Sequence, residues 1–136
     1  MPSEISLSVD LRLLAYSALF CLVLWIPYIL AAMQVRGLGR VCGYPTGDYQ
    51  DLPGWAQRTH RAHQNLVENL IPFAALVLVA HLAGAANETT ALGARLFFWA
   101  RILQVVFHVA AVPWLRTAAF LMSWAGSLII FWQIVT

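Results

Sequence analysis

Ionisable and amide side chains are concentrated on one face of each of two apolar stretches in this sequence. The first stretch opens with RTHRAHQNLVENLIPF at residues 58–73. At 100° per residue, its polar side chains fall within about 80° of one another around a helix axis. They are Arg58, Arg61, Asn65 and Glu68, with Asn69 beside them. The second stretch carries a stripe at spacings of three and four residues, formed by Arg101, Gln104 and His108.

The two stripes are matched in depth if their helices run antiparallel. Residues on antiparallel helices lie at the same level when their numbers add up to a constant, and three pairs share one such constant. These pairs are Glu68 with Arg101, Asn65 with Gln104, and Arg61 with His108. A charge within a bilayer costs at least about 2.5 to 3.5 kcal/mol. We therefore predict a buried ion pair between Glu68 and Arg101.

The matched stripes offer the groups needed to bind a small peptide-like anion. Arginines recognise carboxylates through forked N–H donors, a glutamate can hold an ammonium group, and amides can pair with peptide groups. Polar contacts that only hold helices together contribute about 0.6 to 2 kcal/mol each. The two stripes contain more ionisable and amide groups than such a structural role requires. We therefore favour a zwitterionic ligand over a purely structural role.

Other chemistries find less support in the sequence. His60 and His63 lie three residues apart, but no cysteine or further histidine pair nearby completes a metal site. Neither a Ser-His-Asp arrangement nor a phosphate-binding glycine loop occurs. A formal charge of +2 spread over the chain excludes nucleic-acid binding. A proton pathway along the stripes lacks polar continuation beyond Asn69.

The helices that carry these stripes belong to a chain whose composition is that of a membrane protein. Of the 136 residues, 61% are hydrophobic and 10% are charged, against roughly 25% charged in soluble domains. A spanning helix needs about 20 mostly apolar residues, and four stretches meet this requirement. We predict helices at about 11–34, 56–86, 91–112 and 115–135, with a loop at about 37–55. Short connections favour a single transmembrane domain over residues 1–136, an all-α integral membrane four-helix up-down bundle.

Arginines are distributed unequally between the two ends of this predicted bundle. The loop side carries Arg36, Arg40, Arg58, Arg61 and Arg116. The positive-inside rule therefore predicts a cytoplasmic loop and two termini outside the cytoplasm. No cleavable signal pattern precedes the first helix and no retention motif ends the chain, which favours a multi-pass protein of a bacterial inner membrane.

The stretch RAHQNLVENLIPF at residues 61–73 resembles the signature of the membrane-associated proteins in eicosanoid and glutathione metabolism, the MAPEG family. It is close to the pattern R-A-H-x-N-x-x-E-N-x-x-P-F of the glutathione transferases in that family. Shorter similarities occur at Gln34 to Arg36, at Ala100 and Arg101, and at Leu115 to Thr117. The resemblance implies a four-helix protomer of a homotrimer that binds glutathione between subunits near the cytoplasmic face.

The resemblance also implies roles for individual residues. Carried over by position, the glutathione-binding residues are Arg36, Arg61, His63, Asn65, Glu68 and Arg101, and Arg116 is the arginine that stabilises the thiolate. Gln104 and His108 complete the polar stripe and are added as candidate ligand contacts. Members that conjugate lipids often have tyrosine at the position of His108, and some have another at Gln104.

The resulting hypothesis is a glutathione-dependent membrane transferase or peroxidase that acts on hydrophobic electrophiles or lipid hydroperoxides. Its partners are membrane lipid and a hydrophobic small-molecule substrate that reaches the thiol from the lipid. Gln64 stands where prostaglandin E synthases have arginine, so that isomerase activity is not implied. The alternative is a non-catalytic lipid-binding or scaffold protein on the same fold, which the missing tyrosines favour.

Overall fold

The computed structural model describes residues 7–43 and 49–136. Its helices are α1 (Val9–Val23), α2 (Trp25–Arg36), α3 (Leu38–Cys42), α4 (Gly54–Leu82), α5 (Glu88–Val109) and α6 (Pro113–Val135), with a 3-10 turn at Tyr49–Asp51. No strand occurs within the described ranges. The predicted cytoplasmic loop thus contains a short helix, α3, and a 3-10 turn.

Four helical segments are long and apolar enough to cross a bilayer: Val9–Arg36, Gly54–Leu82, Glu88–Val109 and Pro113–Val135. The chain is therefore a multi-pass integral membrane protein, and the predicted all-α four-helix membrane bundle is confirmed. Among these spans α5 is the most interior. Half of the residues in its most apolar stretch are buried, compared with 17 to 22% in the corresponding stretches of the others. It contacts α1, α4 and α6.

A break at Leu24 divides the first span into α1 and α2. Pro27 explains its position, because proline has no N–H to donate and its ring clashes with the carbonyl four residues earlier. That carbonyl belongs to Val23, the last residue of α1. A single residue therefore accounts for the position of the break in the first span.

Cap motifs define the short turn between α4 and α5. Gly84 has a φ of +70°, and its N–H donates to the carbonyl of His81 while Ala85 donates to Ala80. This Schellman motif ends α4 at Leu82, four residues before the predicted 86. Asn87 then begins α5 with a capping box that also involves Thr90.

The packing of α5 against α6 depends on two glycines that face each other. A Cβ on Gly93 would lie 2.6 Å from the carbonyl oxygen of Gly126, and one on Gly126 would lie 2.5 Å from that of Gly93. Small residues allow helices in membranes to approach closely. Beside this crossing, the rings of Phe73 and Phe97 stack with centroids 3.8 Å apart and join α4 to α5.

Polar contacts hold the two ends of the bundle. At the end distant from the loop, His81 Nε2 lies 2.9 Å from the carboxylate of Asp10, which also accepts a hydrogen bond from Thr90. On the loop side, Arg36 donates to both carboxylate oxygens of Asp51, its Nε at 2.6 Å. The second ion pair ties the 3-10 turn to the end of α2.

Candidate functional site

A polar cavity of about 320 Å³ lies between α4, α5 and α6. It is lined by Asn65, Gln104, His108, Arg116, Thr117 and Phe120, and we call it the amide cavity. Two of the depth-matched residues, Asn65 on α4 and Gln104 on α5, thus face the same space. Arg116 reaches it from the first turn of α6, which begins at Pro113 immediately after the α5–α6 turn.

Arg101 lies behind the wall of the amide cavity and is only 1% exposed. Its Nη2 donates a 2.6 Å hydrogen bond to the side-chain oxygen of Asn65, and Nη1 lies 3.4 Å from the hydroxyl of Ser123. Its guanidinium also lies 5.8 Å from the ring centroid of Phe120. Arg101 therefore acts on the cavity by orienting Asn65 and by its charge.

The prediction of an ion pair between Glu68 and Arg101 is wrong for this chain. Glu68 is exposed and makes no ion pair with any residue of the described ranges. Three residues along a helix turn a side chain by 300°, so Glu68 lies about 60° away from Asn65 around the axis. Asn65 faces α5, and the guanidinium reaches it instead.

Several buried polar atoms around the amide cavity have no hydrogen-bond partner among the described residues. Gln104 is 3% exposed, and its side-chain oxygen is unpaired. The Nδ1 atom of His108 and the Nε atom of Arg101 are also buried and have no partner among these residues. Buried polar groups are normally paired, and each unpaired group costs about 1 to 3 kcal/mol. A polar ligand in the cavity would offer partners to Gln104 and His108, which line it.

A second cavity, of about 240 Å³, adjoins the first at the loop-side end of the bundle. It is lined by Arg58, Arg61, Phe107, His108, Ala111, Val112, Pro113 and Arg116, and we call it the arginine cavity. The Nε atom of Arg58 donates to the carbonyl oxygen of Val109 at 2.9 Å, which fixes this arginine at the end of α5. Arg61 is exposed.

Two predicted glutathione contacts lie away from both cavities, against the first span and the loop. The ring of His63 bonds through Nε2 to the carbonyl oxygen of Cys21 at 2.9 Å and through Nδ1 to the hydroxyl of Tyr28 at 2.7 Å. Arg36 pairs with Asp51 and lies 5.2 Å from the ring centroid of Tyr49. Within the chain, Arg36 and His63 therefore lie apart from Asn65, Gln104, His108 and Arg116.

A third cavity, of about 260 Å³, lies beside this loop-side group. It is lined by Tyr49, Gln50, Gln57, His60, Arg61 and Gln64. Arg61 thus lines both this space and the arginine cavity. Arg61 is therefore the predicted contact that lies closest to both groups of residues.

Three residues of α6 belong to the site although sequence reasoning did not select them. Thr117 and Phe120 line the amide cavity, and Ser123 lies beside Arg101. A signal was present in the spacing, because residues 116, 120 and 123 follow one face of a helix at intervals of four and three. The polar Ser123 on that face is buried.

Comparisons with known proteins match the chain to the MAPEG family over residues 13–136. Microsomal glutathione S-transferase 1 of Homo sapiens is 39% identical over 57 residues, which is 42% of this chain and 37% of the relative. The proteins of the same name from Sus scrofa and Bos taurus are each 37% identical over 57 residues, with the same coverage. The matched segment thus spans 37% of the length of these relatives. No solved structure matches the chain.

Proposed function

Because the chain belongs to the MAPEG family, we propose that it is a glutathione-dependent membrane transferase or peroxidase that acts on hydrophobic electrophiles or lipid hydroperoxides. The single observation that best supports the proposal is the environment of Arg101. This guanidinium is buried, and no carboxylate pairs with it among the residues of the described ranges. A buried charge is costly unless it is compensated, and an anion in the adjacent amide cavity would compensate it.

The residues of the amide cavity fit a peptide-like thiol with carboxylates. The side-chain oxygen of Gln104, which has no partner in the described part of the chain, can accept an N–H from a peptide group, and the Nδ1 atom of His108 offers a second such position. Arg61, which lines the adjoining arginine cavity, supplies a guanidinium group that can bind a carboxylate through two parallel hydrogen bonds. Asn65 is already oriented by Arg101.

Arg116 is the residue proposed to favour the reactive form of the thiol. Glutathione, when bound, supplies a thiol nucleophile, and a free thiol ionises near pH 8.5. A guanidinium on the cavity wall favours a negative charge on sulfur and so raises the thiolate fraction at neutral pH. The hydroxyl of Thr117, next along α6, already donates to the carbonyl oxygen of Pro113 at 3.0 Å.

A homotrimer would unite the two separated groups of predicted contacts. In one protomer, Arg36 and His63 lie on the side of the first span, while Arg116 and Gln104 lie between α4, α5 and α6. Glu68 is exposed and available to a neighbour. We propose that glutathione binds between subunits on the cytoplasmic side, and that the hydrophobic substrate arrives from the lipid.

The test is glutathione titration and conjugation to a generic hydrophobic electrophile, with Arg116→Gln compared with the parent. Arg95→Gln is the matched control, because Arg95 is an exposed arginine of α5 outside the cavities. We expect a loss of roughly tenfold or more in conjugation rate for Arg116→Gln, since a bond to a charged group contributes about 1.5 to 3 kcal/mol. Equal rates in all three proteins would contradict the proposal.

The same assay distinguishes the second candidate function, a non-catalytic lipid-binding or scaffold protein. Gln104 and His108 favour this second function, because the resemblance implies that lipid-conjugating members of the family have tyrosines at these positions. Binding of glutathione by the parent without any conjugation would support this second function over the first.

A further inference from the structure

We propose that an exposed surface of α1 and α5, at the end of the bundle distant from the loop, binds a phospholipid whose headgroup carries a phosphate and a primary amine. Its charged residues are Arg12, Arg95 and Glu88, and we call it the headgroup site. The inference goes beyond the proposed function and does not depend on thiol chemistry. It rests on the register of α1 against α5, on the order of the three charges and on the aromatic rings beside them.

Two contacts set the register of α1 against α5 at this end. The hydroxyl of Thr90 donates to the carboxylate of Asp10 at 3.2 Å. Further along both chains, the rings of Tyr16 and Phe98 lie with their centroids 6.1 Å apart. Because the second contact follows the first in both helices, α1 and α5 run in the same direction, and residues between the two contacts lie at matched depth.

The two arginines lie between these contacts, side by side on the exposed face. Arg12 precedes the tyrosine by four residues and Arg95 precedes the phenylalanine by three, so each is a surface neighbour of one ring. At 100° per residue, Arg12 lies about 160° from the buried Asp10, and Arg95 lies about 140° from the buried Thr90. Cα–Cβ bonds tilt toward the helix N-terminus, which directs both side chains toward the same membrane surface.

Three charges of the headgroup site have no ion-pair partner among the residues that the structure describes. Arg12, Arg95 and Glu88 are all exposed and unpaired, whereas the nearby carboxylate of Asp10 is buried beside His81. Glu88 precedes Arg95 by seven residues, so it lies on the same face of α5 and about 10 Å further out. Two cations are therefore followed, in the outward direction, by one anion.

This order of charges matches a zwitterionic headgroup. In such a lipid the phosphate lies next to the glycerol, and the amine lies further out. Two guanidinium groups bind phosphate oxygens through paired N–H donors, and a primary ammonium donates to a carboxylate. Deeper than the arginines, the rings of Tyr16 and Phe98 offer apolar surface to the acyl chains, with Trp99 5.2 Å from Phe98. An anionic lipid without an amine would leave Glu88 unpaired near its phosphate.

The experiment measures lipid binding by native mass spectrometry in a neutral detergent. The lipids are phosphatidylethanolamine, phosphatidylglycerol and phosphatidylcholine, whose choline has no N–H to donate. We expect the parent to prefer phosphatidylethanolamine. Arg12→Gln and Arg95→Gln should each weaken its binding roughly tenfold, because each removes a charged donor to the phosphate. Arg40→Gln is the matched control, since Arg40 is an exposed arginine of α3 at the other end of the bundle.

Replacement of Glu88 separates headgroup recognition from a general effect of charge or folding. Glu88→Gln should lose the preference for phosphatidylethanolamine and bind phosphatidylglycerol more tightly than the parent does, because a carboxylate no longer repels the phosphate. The proposal would be overturned by a preference that persists in Glu88→Gln, by equal weakening in Arg40→Gln and Arg95→Gln, or by a parent that binds all three lipids alike or none.

Glutathione titration of the same variants keeps this proposal distinct from the proposed function. Arg95 lies about 14 Å along α5 from Gln104 of the amide cavity. Glutathione affinity should therefore be the same in Arg12→Gln, Glu88→Gln and the parent. A change in lipid preference with unchanged glutathione affinity supports a separate headgroup site, and a parallel loss of both would overturn it.

Discussion

At the scale of single residues, the main electrostatic feature of the candidate site is a buried arginine, Arg101. Its guanidinium is buried 2.6 Å from the amide oxygen of Asn65, which can relieve only part of the cost of a buried charge. The side-chain oxygen of Gln104 and the Nδ1 atom of His108 find no hydrogen-bond partner nearby among the described residues. A site with surplus positive charge and free hydrogen-bonding capacity is preorganised for an anion with polar groups.

The bond between Asn65 and Arg101 gives a testable stability effect. We expect Asn65→Leu to destabilise the protein by about 1 to 3 kcal/mol, because it leaves the buried guanidinium without its strongest partner. Unfolding of the detergent-solubilised protein by added SDS measures the change. Asn69→Leu is the matched control, since the Asn69 side chain donates, within the described residues, to the Asn65 carbonyl of its own helix and to no other group. Equal losses in both variants would contradict this account.

At the scale of elements, the position of α6 against α5 determines whether the cavities form. Arg116, Thr117 and Phe120 enter the site from α6, and the close approach of Gly93 to Gly126 fixes that helix against α5. The α5–α6 turn contributes as well, because Ala111 adopts a left-handed conformation in a Schellman motif. The geometry of the candidate site therefore depends on the close contact between two glycines that lie outside it.

Substitution of Gly93 should act through this helix packing. A Cβ at Gly93 would lie 2.6 Å from a backbone carbonyl, so Gly93→Ala must separate α5 from α6. We expect a loss of about 1 to 3 kcal/mol, together with weaker glutathione binding. Thermal unfolding and titration in detergent measure the two effects. Gly39→Ala, where nothing lies within 4 Å of the added Cβ, should change neither; similar losses in both would refute the packing argument.

The ion pair that joins the loop to α2 should respond to pH. The hydrogen bonds from Arg36 hold the pKa of Asp51 below its ordinary value. A lowered folded-state pKa gives stabilisation that is complete above the unfolded value, about 3.9, and is lost as pH falls through the lower folded value. The hydrogen-exchange protection factors of Tyr49 to Leu52, which correct for the pH dependence of the intrinsic exchange rate, should therefore fall below about pH 3.9. In the Asp51→Asn variant, the same amides should exchange rapidly already at neutral pH. An unchanged dependence of protection on pH would contradict the ion pair between Arg36 and Asp51.

At the scale of the whole molecule, the distribution of predicted contacts favours assembly. The group near the first span and the group between α4, α5 and α6 are separate within one protomer. A ligand that used both groups would have to lie where two subunits meet. Large apolar side chains such as Leu30, Ile71 and Leu128 are exposed on the protomer and offer surface to lipid or to a neighbour.

Subunit mixing tests the proposed homotrimer. We expect the detergent-solubilised protein to have about three times the protomer mass of 15.1 kDa after correction for bound detergent. Co-expression of Arg36→Gln with Arg116→Gln should restore glutathione binding at a minority of sites, because some interfaces then contain both arginines. Each variant expressed alone should bind weakly. A mass of one protomer, or no restoration on mixing, would contradict a shared site.

Local sequence patterns by themselves determined the four spans and the stripes of polar residues, because these depend on hydropathy and on the period of one helix. Only the tertiary structure decided that Arg101 bonds to Asn65 rather than to Glu68, and that α6 supplies Phe120 and Ser123. Helical period gives the angle and depth of a side chain on its own axis. It does not give the rotation of one helix against another or the reach of a long arginine, and these depend on packing such as the contact of Gly93 with Gly126.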